Sequence, residues 1–159
     1  VSSESLEHLP QTGPARLIAE VVEVDDAHTV CLARVPARSP FRSCGPTADS
    51  VPASLAIEMA AQAAAVAEPP PPGRDAASSP SPRLLAGTRD VTLHGAALRA
   101  DATFRVHTTR TTLAPPLRVY RFEVFDGESL VAEGELSTFY DAGPQGFLPE
   151  PSPRTLEGL

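Results

Sequence analysis

The run Ala53-Ser-Leu-Ala-Ile-Glu-Met-Ala-Ala-Gln-Ala-Ala-Ala-Val-Ala-Glu68 constrains this chain more than any other feature. Strong helix formers fill it, Pro52 suits the first turn of a helix, and Ser50 is a candidate cap. Pro69-Pro-Pro-Pro72 ends it. The helix predicted over 53–68 is apolar on nearly every side, which places it inside something. Its longest apolar stretch, 53–67, falls short of the ~20 residues a membrane span needs and holds Glu58 and Gln62. It therefore reads as a buried core helix and not as an anchor.

Strand-like segments surround it. The segment 16–24 is rich in β-branched residues, Asp25-Asp26-Ala27 intervenes, and 28–35 follows, the pattern of a β-hairpin. Residues 36–51 carry Pro36, Pro40, Gly45 and Pro46 without a sustained period, so the chain passes from sheet to helix irregularly, and such loops are often functional. After the helix, 84–93, 100–109, 117–125 and 130–140 read as strands. Ala102, Phe104 and Val106 alternate with Thr103, Arg105 and His107, so one face of that strand meets a core. Asp126-Gly127 is a tight-hairpin signal. The order is two strands, one long helix and four antiparallel strands. A helix apolar all round is covered only if the sheet curls about it, because a flat sheet leaves half of it wet. Among small α+β folds this describes a hot-dog: a curved antiparallel sheet of about six strands around one buried helix.

At 159 residues with 42% apolar side chains the chain has one sizeable core. Of its 18 prolines, six fall between Pro69 and Pro82 and four between Pro144 and Pro153. That divides it into a domain over 1–141, interrupted by a proline-rich loop at 69–83, and a tail at 142–159. Thirteen arginines and no lysine stand against twenty acidic residues, a net charge of −7, which argues against nucleic acid and anionic membranes as partners. Two cysteines, Cys31 and Cys44, without a signal-like apolar start fit a cytoplasmic protein without a structural disulfide.

Chemistry concentrates on the helix. Glu58 is a carboxylate in an apolar setting, with Gln62 one turn later on the same face. Desolvation of such a group raises its pKa and suits it to general acid or base work; the bland alternative, of about equal weight, is a satisfied structural carboxylate.

The text Pro40-Phe41, Cys44-Gly45-Pro46, Val51-Pro52 and Glu58-Met-Ala-Ala-Gln62 resembles the signature of the 3-hydroxyacyl-acyl carrier protein dehydratases. From Cys44 to Gln62 the spacing matches without a gap. Gly13-Pro14, Val51-Pro-Ala53, Ile57-Glu58-Met59 and Gly87-Thr-Arg89 are closer still to the branch associated with aryl-polyene and related polyketide pathways. The resemblance spans roughly residues 6–140. It implies a hot-dog fold and an obligate pair of protomers, either two copies or a heterodimer, with a site shared between them. It also implies dehydration of a carrier-bound 3-hydroxyacyl chain to the trans-2-enoyl thioester without a cofactor. Glu58 takes the place of the catalytic acid and Gln62 orders the site. Gly45, Pro52 and Ala53 line the substrate where loop meets helix, their neighbourhood supplying backbone donors for the thioester carbonyl.

One departure matters. Where the family has a histidine this chain has Cys44, and where the polyene-like branch has a second one, after the opening Leu9-Pro10, it has Gln11. Dehydration needs a base at C2 as well as an acid for the hydroxyl. Three readings follow: a homologous partner brings the histidine; Cys44 serves as base beside Arg38 or Arg42, against a buried and inert Cys44 at about two to one; or catalysis is lost and an acyl-binding partner remains. A hot-dog thioesterase ranks below these. The four histidines are isolated in sequence, which makes a metal site improbable. His94 and His107 take solvated positions by default, and only His8 is a candidate to enter a site. Arg38, Arg42 and Arg89 would flank the substrate entrance and suit the phosphate of a carrier protein.

Overall fold

In a computed structural model of the chain, residues 6, 9, 11–68, 83–114 and 117–140 are described. His8, the proline-rich loop over 69–82 and the tail lie outside them. A 3-10 turn at Gly13–Ala15 leads into β1 (Ile18–Val24) and β2 (His28–Arg34), the expected hairpin. A second 3-10 turn, Pro40–Cys44, precedes β3 (Ser50–Pro52) and α1 (Leu55–Val66). Then come β4 (Arg83–Leu93), β5 (Ala97–Arg99), β6 (Thr103–Ala114), β7 (Leu117–Asp126) and β8 (Ser129–Tyr140).

Six strands form one antiparallel sheet in the order β1-β2-β6-β7-β8-β4, while β3 and β5 pair separately. Helix α1 touches β1, β2, β6, β7 and β8, which a sheet can achieve only by curving round it. Inward alternation supplies the core: Cys31 and Ala33, Phe104 and Val106, Tyr120, Phe122 and Val124, and Ala132 and Leu136 are all buried beneath Met59, Ala60, Ala63 and Ala64 of the helix. Small alanines let the sheet approach, and the arrangement is the expected hot-dog.

The two short strands correct the sequence reading at the helix start. Pro52 ends β3 and is not in the helix, and Ser50 pairs with Arg99 instead of capping. The first helical turn closes on Ser54, whose side chain makes no capping bond. Three-residue strands carry too little text for a period of two to register. At the β7–β8 turn, Asp126 pairs with Ser129, so the loop is Gly127-Glu128, with Gly127 at φ +60, one residue later than Asp126-Gly127 would suggest.

Candidate functional site

Glu58 stands in the first turn of α1 and is half-buried. Its Oε1 accepts from Gln62 Nε2 at 2.8 Å and from Gln11 Nε2 at 3.3 Å. Both bonds end on the same oxygen, and Oε2 takes part in neither. Gln62 is buried and fully engaged: its carbonyl accepts from Leu17 N at 2.8 Å and Ile18 N at 3.4 Å, and its amide also donates to Ala15 O at 3.0 Å. One side chain thereby fastens the helix to the start of β1 and fixes the carboxylate.

The loop side is tighter than its sequence suggests. A Cβ on Gly45 would fall 1.9 Å from Ser50 O, so the backbone of the loop presses on β3 there, and only glycine fits. The Ala53 amide, a candidate donor to a thioester carbonyl, is committed to Ala96 O at 3.2 Å. Pro52, half-buried at the end of β3, has no amide hydrogen to offer.

Cys44 ends the second 3-10 turn and is exposed, contrary to the buried thiol favoured from sequence; its Sγ contacts Pro40 O at 3.7 Å. Cys31 is the buried one, and burial pushes its thiol up to about 12. Arg42 is no activator for Cys44. Its guanidinium bonds Asp101 at 2.9 Å and the carbonyls of Val35, Pro36 and Ala100, clamping the turn to the ends of β2 and β5. Arg38 is exposed, and Arg89 is paired with Glu135 on the sheet edge away from β1.

Nor are the histidines isolated in space. His28 and His107 meet edge to face at 5.9 Å on the outer sheet surface, and Phe125 covers His107 at 5.4 Å. His107 is therefore half-buried and not solvated, and desolvation followed by the neighbouring His28 holds its pKa below the usual value. His94 is exposed as expected, on Glu133 at 3.1 Å. Among the described residues no group of three or more His, Cys, Asp or Glu is placed to hold a metal.

Sequence reasoning missed one buried carboxylate, Glu68, two residues past α1. It accepts from Tyr120 at 3.0 Å and Thr138 at 2.7 Å and faces Arg118 at 3.2 Å. Burial, then the Glu68 charge, raise the Tyr120 hydroxyl pKa above its ordinary value. The signal was a lone acid ending an apolar run.

A model of the ApeP-like family, described as ApeP dehydratase, matches residues 4–148. The chain belongs to the ApeP-like dehydratase family. Among solved structures it is similar to the dehydratase heterocomplex ApeI:P from Xenorhabdus doucetiae, at TM-score 0.70 and 21% identity over 86% of this chain and 90% of that one. It also resembles Cj0977, a sigma28-regulated virulence protein from Campylobacter jejuni, at TM-score 0.60 and 11% identity over 89% and 93%. A hypothetical thioesterase with coenzyme A from Streptococcus pneumoniae follows at TM-score 0.54 and 11% identity over 77% and 84%. No curated protein matches it. These neighbours share the hot-dog fold, and this ApeP-like chain is a dehydratase-like hot-dog protein. Among the described residues no helix is long and apolar enough to cross a membrane.

Proposed function

We propose that this chain is the glutamate-bearing half of a cytoplasmic two-chain dehydratase that acts on 3-hydroxyacyl thioesters of an acyl carrier protein in polyketide or fatty-acid-type biosynthesis. The observation that carries the reading is the Glu58 carboxyl, fixed at Oε1 by two amides with Oε2 unengaged by either. That is the posture of a positioned general acid. Glu58 gives its proton to the departing hydroxyl as the C3–O bond breaks. A base removes the C2 proton, and water and the trans-2-enoyl thioester result. A homologous hot-dog partner would bring the base: among the described histidines, His28 and His107 meet on the outer sheet surface and His94 is paired with Glu133. That the related ApeI:P is a heterocomplex supports a pair of unlike chains.

A second reading, an acyl-binding partner without catalysis, is favoured by Cys44 and Gln11 at the positions where the resemblance expects histidines. Turnover of a 3-hydroxyoctanoyl carrier protein separates the two. The expected result is silence from this chain alone, activity with a homologous hot-dog partner, and loss of at least about 100-fold in Glu58→Gln. Equal activity of the pair with Glu58→Gln would sink the catalytic assignment.

A further inference from the structure

The amide of Gln11 is half used. Its Nε2 donates to Glu58 Oε1, while its Oε1 is buried and has no hydrogen-bond partner. An amide oxygen shut from water without a donor is unfavourable by roughly the worth of a hydrogen bond or more, so the position calls for a donor. Gln11 cannot settle this by turning over, since Gln62 already fixes Glu58 Oε1 as an acceptor and a turned amide would set two acceptor oxygens together. Nor can Gln62 assist, with both its ends taken by Ala15, Leu17, Ile18 and Glu58. Gln62 does not supply the missing donor, and a group that bonds Gln11 Oε1 would sit beside the amide that holds the Glu58 carboxyl.

We infer that Gln11 Oε1 is the acceptor for the hydroxyl of the bound acyl chain, and so selects 3-hydroxyacyl thioesters over chains that lack a donor at that carbon. This rests on the reading of Glu58 as an acyl-site acid. A hydroxyl that donates to Gln11 turns a lone pair toward Glu58 Oε2, the oxygen that takes part in neither amide bond. When C3–O breaks, the hydroxyl keeps its own hydrogen, takes the Glu58 proton and leaves as water. Gln11 neither gains nor loses a proton.

The test is equilibrium binding of 3-hydroxyoctanoyl, 3-oxooctanoyl and octanoyl pantetheine thioesters to the full chain, alone and saturated with its hot-dog partner. The hydroxy compound should bind about fivefold more tightly than the other two, the worth of one neutral hydrogen bond. In Gln11→Met, similar in shape but without the amide, the three should converge to within about twofold while octanoyl affinity holds. Equal binding of all three by the unaltered protein, or a preference that survives Gln11→Met, overturns the role of Gln11 and leaves the acyl site standing. Binding of none in either preparation overturns both.

Discussion

Two glutamines and one glutamate meet at the candidate site, and the text disclosed their bonding unequally. Glu58 announced itself as a carboxylate in an apolar helix. Gln62 reads there as a helper of chemistry, yet its bonds go mainly to the backbone of residues 15, 17 and 18. Gln62→Leu removes the partner of two backbone amides and a carbonyl, and should lower urea stability by at least about 3 kcal/mol, at roughly 1–3 kcal/mol for each buried group left unpaired. An unchanged midpoint would mean that the helix end is held by other contacts. Gln11 carried no local signal, since its partner lies 47 positions away. The thiols are an equally direct check on the residue scale. With Cys44 exposed and Cys31 buried and raised to about 12, iodoacetamide at pH 8 should label one cysteine in the native chain and two in urea.

Elements were legible in proportion to their length. Six longer strands and the body of the helix declare themselves in the text; β3 and β5, at three residues each, do not, and their absence from the sequence reading misplaced the helix start. The close approach of Gly45 to Ser50 depends on the fold having formed, and no spacing rule forecasts it. The pairing of β2 with β6 brings Thr29 opposite Thr108 on the inner face, both buried and both with hydroxyls lacking partners. Replacing each with valine keeps the shape and removes a polar group from an apolar setting. The double variant should gain about 1–2 kcal/mol in denaturant titration. A loss instead would reveal that the hydroxyls serve something bound between sheet and helix.

At the scale of the molecule, acid sensitivity follows from the outer sheet surface. Desolvation, His28 and Arg105 depress His107, while Glu123 and Glu23 oppose them. Its folded pKa therefore lies below the unfolded value of ~6.5. The unfolded chain takes up the proton first, so stability is full above that pH and declines as pH falls through it. Urea midpoints measured from pH 8 to pH 5.5 should drop, and His107→Gln should flatten the slope. Asp126, lowered by its Arg99 partner, adds a separate loss only below its ordinary value of 3.8. The curled sheet itself was legible because one all-round apolar helix leaves few alternatives; of the proposed partner the text holds only a gap where the resemblance expects a base.

The bonding of Gln62 changes how the text of related chains ought to be interpreted. A relative that had abandoned the reaction would still need that glutamine to moor its helix, whereas its glutamate could drift without harm to the fold. Of the pair Glu58 and Gln62, then, the second bears on architecture, and the first alone bears on whether chemistry persists.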